Sequence, residues 1–222
     1  MTAPVQTLRF ADAREAEDLT AFLGRLIHYD RAAAVRLQAG GGALAVFGRP
    51  PSFDVIVIRT ARLAEPAELD ATVSAGELLE SVSGATLAVP AAVTGPPWAG
   101  LLPPRGGWRE LPGLPDVRRM QSAVAAAVAE FRAKDEALPQ DRRTRAERDR
   151  IGREIWSRTL GDTELPLRAV HAAQSLGFLR PTPQDLPGAA LLAAGGWLRL
   201  RTPFGSVAVR RAGLGGLTVT PT

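Results

Sequence analysis

Between Leu69 and Pro90 the hydrophobic period of the chain changes twice. Leu69, Thr72 and Val73 are strand formers, Leu78, Leu79 and Val82 recur at helical spacing, and Thr86 to Val89 is again extended and apolar. Ser74 is placed to cap the helix, Glu77 three positions on completes a capping box, and Ser83-Gly84 ends it. The pattern predicts a strand, helix, strand unit.

Upstream, Val5 to Phe10 reads as a strand and Asp12 as the cap of a helix reaching roughly to Leu26. Ala16, Leu19, Phe22, Leu23 and Leu26 form its apolar stripe, and Glu15, Glu17 and Asp18 make its other face acidic. Ala33 to Gly48 reads as a hairpin. With Gly40-Gly41 as a two-residue turn, Leu37 faces Leu44 and Val35 faces Val46, all four on one side. Asp54 to Ala64 is apolar on both faces at its start and is expected at the centre of the sheet. Leu37, Val46, Ile56, Ile58, Leu78 and Leu79 are the core expected between sheet and helices.

Pro90 to Pro115 is too rich in proline and glycine for long regular elements. Its Trp98, Leu101, Leu102, Trp108, Leu111 and Leu114 are costly to leave in water, so it is expected to be an ordered strap docked on the sheet or on the next helices. From Asp116 to Leu138 a seam of Val117, Met120, Val124, Val128 and Phe131 predicts a helix that pairs with another, within the chain or across a homodimer. Asp141 to Leu160 is a second helix, whose Arg143/Glu147, Arg145/Asp149 and Arg150/Glu154 spacings predict ion pairs. Leu165 to Leu179 is a third, ending at Gly177. Trp197 to Arg211 is a hairpin around Thr202 to Gly205, with Leu198 facing Val209 and Leu200 facing Val207. That register leaves Trp197, Arg199, Arg201 and Arg210 on the opposite side, as a basic ribbon that either protects a sheet edge or contacts phosphate.

The fold class is therefore α+β: an N-terminal sheet with two packed helices over residues 1–104, then a mostly helical module with a C-terminal hairpin over 105–222. The element order together with LDATVSAGELLESV resembles one subdomain of the bacterial DNA sliding clamp across residues 4–90, which implies that fold and an association with DNA. The helices that line the pore in that family are basic, whereas Glu15, Glu17, Asp18, Glu77 and Glu80 make these acidic. Helix, Leu-Gly-Phe-Leu and hairpin over 165–211 resemble the second half of a winged-helix DNA-binding domain, with the hairpin as wing.

Charge bears on the same question. Residues 1–104 carry 8 Arg against 11 Asp and Glu, while 105–222 carry 19 Lys and Arg against 12 Asp and Glu, so a net +7 gathers in the second half. DNA is the partner this allows, and Arg168, His171, Arg199, Arg201, Arg210 and Arg211 are the candidate nucleic-acid contacts. His28 and His171 lie far apart in a chain without cysteine, and no phosphate loop or nucleophile elbow occurs; no metal, cofactor or catalytic residue is expected. The N-terminus lacks a signal-peptide pattern and no apolar run is long enough to span a bilayer, so a cytoplasmic protein without a membrane partner is expected. Two functions fit: a non-enzymatic DNA-associated or assembly protein, and a small-molecule binder or enzyme with its site near Trp98 and Trp108.

Overall fold

The computed structural model describes residues 6–182 and 186–211; Val5 of the first expected strand lies outside them. Within them the fold is α+β. In chain order the elements are β1 (Thr7–Arg9), α1 (Ala13–Tyr29), β2 (Ala34–Gly40), β3 (Ala43–Gly48), β4 (Ile56–Arg62), β5 (Leu69–Ser74), α2 (Ala75–Glu80), β6 (Val82–Ser83) and β7 (Thr86–Ala88). The strap contains β8 (Arg109–Leu111), and after it come α3 (Val117–Glu136), α4 (Arg145–Trp156), α5 (Leu167–Ser175), β9 (Ala190–Ala194), β10 (Trp197–Thr202) and β11 (Gly205–Arg210).

Eight strands make one sheet in the order β5-β2-β3-β4-β11-β10-β9-β8, and β1, β7 and β6 make a second, small one. The boundary expected at residue 104 thus falls between segments that share a sheet, because β11 pairs antiparallel with β4. β4 is central, as its two-sided apolar start requires. The strands on either side of the Ser74 cap part company: β5 joins the large sheet, whereas β7 pairs with β1.

The helices lie on one face. Asp12 accepts a hydrogen bond from the Glu15 N–H at 3.1 Å, a cap worth about 1 kcal/mol, and α1 buries the stripe from Ala16 to Leu26 against the sheet. α5 covers β10 and β11, and α3 and α4 pack over α5. Met120 and Val124 of the α3 seam are buried in this intrachain core, and Val117, Val128 and Phe131 are partly buried against it. The strap covers the other face: Trp98, Leu102 and Trp108 pack on Phe47, Ile56, Ile58, Trp197 and Ala208. Ile56 and Ile58, expected under the helices, therefore lie under the strap, since alternate residues of β4 face opposite sides.

Two hairpins turn out differently. β2 and β3 close with Gly40 opposite Ala43, so the turn is Gly41-Gly42 and Leu37 faces Val46 instead of Leu44. Gly41 supplies the left-handed φ of 62° the turn needs, and a shift of two residues keeps the same side chains on the buried face. In the C-terminal hairpin Leu198 faces Val209 and Leu200 faces Val207 as the pattern dictates. It is no sheet edge, because β9 and β4 flank it on both sides.

Candidate functional site

The chain between β3 and β4 holds Ser52 and Asp54 at φ of 72° and 50°, a conformation non-glycine residues rarely keep without support. Asp54 is held by Arg49 at 2.7 Å. Between them Phe53 is buried in a run of aromatic contacts: its ring meets Tyr29 edge-on at 5.6 Å and His171 at 5.1 Å, and His171 stacks on Trp156 at 4.4 Å. Burial pushes the His171 imidazole below its ordinary pKa, so it is a neutral packing group here, not a cation for phosphate.

Three cavities open along this side of the molecule, of about 500, 260 and 800 Å³. Arg49 and Trp98 line both the first and the second, and Asp54 and Arg168 line both the second and the third, so the three form one groove from the strap to α4. Its cations divide into two classes. Arg49 is neutralised by Asp54, and Arg148 by Asp135 at 2.8 Å. Arg153, Arg168 and Arg210 have no carboxylate within ion-pair distance among the described residues. Arg210 instead lies over the Trp197 ring at 4.3 Å, and the Nε–H of Arg168 is buried without an acceptor where two cavities meet.

Of the six residues expected to contact nucleic acid, Arg168 and Arg210 line this groove and His171 packs beneath it. Arg211 is engaged by Glu164 through two hydrogen bonds of 2.9 and 2.7 Å. Arg199 lies over the outer face of the sheet and donates to Ser206 Oγ at 2.9 Å, and Arg201 is exposed beside it. Trp98 of the strap belongs to the groove. Arg49, Arg153 and Trp156 were not foreseen: Pro50-Pro51 marks a bend after Arg49, but Arg153 sits in a run of charges where nothing local separates a paired arginine from an unpaired one. Among the described residues no group of three or more His, Asp and Glu could hold a metal ion, and no helix is long and apolar enough to cross a membrane.

Two family models match the chain in succession, each described as a domain of unknown function: DUF8010 over residues 3–100 and DUF8185 over residues 103–214. No curated protein matches it. The join between the two models falls in the strap, although β4 of the first segment and β11 of the second are hydrogen-bonded neighbours. With the second model spanning half of its length, the chain belongs to the DUF8185 family and carries a DUF8010 segment ahead of it.

Proposed function

We propose that this protein is a non-enzymatic binding module for a single strand of nucleic acid, held along the groove from Trp98 through Arg168 to Trp156. The observation that carries the reading is Arg168: its guanidinium lines two adjoining cavities and has no carboxylate within ion-pair distance among the described residues, which leaves its charge for an anion. Arg153 and Arg210 give two more positions for phosphate, and the half-buried indoles of Trp98 and Trp156 give faces for unstacked bases. A recess between a strap and a helix admits a splayed strand and excludes a duplex. A cytoplasmic location is part of the same reading.

Three phosphate contacts set the expected salt dependence. For single strands the slope of log affinity against log salt is about −0.7 per phosphate, so anisotropy titrations of a labelled oligothymidylate should give a slope near −2. Replacing Arg168 and Arg210 together by alanine should bring it to about −0.7 with the fold unchanged. Absence of binding at low salt, or an unchanged slope in the double variant, overturns the proposal.

A further inference from the structure

The strap divides the outer face of the sheet, and beyond its indoles lies a second cavity, of about 290 Å³. Arg199 of β10 and Arg105 of the strap both line it, together with Gln38 and Thr60. Ala43 and Ala45 of β3 also line it, small residues at outward positions where a strand usually carries larger ones, which leaves room on this face.

The electrostatics of the recess are unbalanced. Arg199 is half-buried, donates one hydrogen bond to Ser206 Oγ, keeps a buried Nε–H without an acceptor, and lies 5.7 Å from the centroid of the Trp108 ring. Among the described residues no carboxylate lines the cavity, and the nearby Asp70 is taken by Arg36 at 2.7 Å. Burial, and then the neighbouring charge of Arg201, hold the Arg199 guanidinium below its ordinary pKa, which is what a cation in need of an anion undergoes. Half-burying a guanidinium without a counter-ion is costly, and packing alone would be better served by an uncharged side chain.

We infer that the recess is a binding site for a small organic anion, its carboxylate or phosphate group seated between Arg199 and Arg105 and its apolar body over Ala43 and Ala45. The volume sits at the lower end of small-molecule sites and fits a compact metabolite-sized ligand. Because Arg105 belongs to the strap and Arg199 to β10, the bound anion ties the strap to the sheet. The site is separate from the groove around Arg168, and neither requires the other.

The test uses inorganic phosphate and succinate as probes, each against sodium chloride of the same ionic strength, on the full chain. A saturable rise in melting temperature with phosphate, with succinate or with both is expected, and which probe acts tells the phosphate from the carboxylate source. Arg105→Ala, on the exposed strap, should weaken the response about tenfold, the loss of one charge-assisted contact. Arg199→Met should abolish it and, without any anion, melt at or above the parent temperature, since a half-buried charge without a counter-ion has been replaced by an apolar stem. A shift that chloride reproduces, one that survives in Arg199→Met or in Arg105→Ala undiminished, or no shift with either probe overturns the assignment.

Discussion

Arg59 Nη2 lies 3.2 Å from Asp18 Oδ2, and this contact helps turn Glu15 and Asp18 of α1 toward the sheet while Glu17 stays exposed. Arg59 is only 6% exposed and stands on the helix-facing side of β4, where its neighbours in sequence alternation are Val57 and Ala61. It also reaches Glu15 at 3.5 Å and donates to the Phe204 carbonyl in the β10–β11 turn at 3.0 Å. Arg62 adds a 2.7 Å bond to Glu15, and Arg180, after α5, a 3.4 Å bond to Asp18. One guanidinium thus joins the first helix, the central strand and the last hairpin.

Removing Arg59 leaves Glu15 to Arg62 and Asp18 to the longer contact with Arg180, and takes the side-chain donor from the Phe204 carbonyl. Arg59→Ala should cost about 3 to 5 kcal/mol in urea denaturation, as the loss of one member of a buried pair does. Arg62, largely exposed, should cost about 1 kcal/mol or less when replaced by alanine. Equal costs for the two would mean that the buried contact is no stronger than the surface one.

Much of this architecture is written in local pattern, and what is not has a physical reason. The β10–β11 register follows from Leu198, Leu200, Val207 and Val209, because a one-residue slip would bury Arg210 opposite Leu198. The β2–β3 register does not, since Gly40, Gly41 and Gly42 allow the two-residue turn at Gly40-Gly41 or at Gly41-Gly42 and both bury the same face. The tryptophans of the strap announce docking but not the surface that receives it. In the groove, Arg168 and Arg210 lie on elements legible from sequence. Their freedom from carboxylates is not legible, because pairing here is decided across elements: Asp135 of α3 takes Arg148 of α4, and Glu130 takes Arg158. The Arg143/Glu147 spacing illustrates this, as Arg143 donates to the carbonyls of Leu138 and Glu136 while Glu147 is held by Arg142 and Arg150.

The α3 seam offers a direct check on intrachain packing. Val124 is 1% exposed, with Met120 and Ala127 beside it. Val124→Glu should abolish cooperative thermal unfolding, because the carboxylate has neither water nor a cation within the core. A folded, monomeric variant would instead mean that the seam is a surface.

Acid should loosen the α3–α4 pair in a defined window. Hydrogen bonds from Arg158 and then Lys134 lower Glu130 from 4.5 to about 2, and Lys134 likewise lowers Glu154. A carboxylate depressed in the folded state contributes in full above its unfolded pKa and loses its contribution as pH falls, so the network fades between about 4.5 and 2. Urea midpoints measured through that range should fall more steeply for the parent than for Glu130→Gln. Parallel curves would remove the network from the stability of the helix pair.

His171 acts in a higher window. Its imidazole is held below 6.5 by burial, so the unfolded chain takes up the proton first and stability declines as pH drops through 6.5. His171→Phe keeps the ring between Trp156 and Phe53 and should flatten that decline. A titration of His171 at or above 6.5 by NMR would contradict the neutral packing role.

Gly205 carries the sharpest steric constraint in the hairpin. Its φ is 150°, which L side chains rarely adopt, and a Cβ there would stand 2.5 Å from the ring carbons of Phe178. That ring cannot simply withdraw: Phe178 is buried at 2% exposure and stacked on Phe22 with centroids 5.9 Å apart. Nor can the turn yield freely, because Thr202 Oγ1 donates to the Gly205 carbonyl at 3.0 Å and accepts from the Phe204 N–H at 3.2 Å. Gly205→Ala should therefore cost about 2 to 4 kcal/mol, part from the backbone and part from overpacking. The two parts separate in a double-mutant cycle. Phe178→Leu vacates the space the ring edge occupies, so Gly205→Ala made in that background should cost less by about 1 kcal/mol or more, leaving only the backbone share. Strict additivity of the two substitutions would show that the glycine is required for its φ alone and that the contact with Phe178 carries no weight.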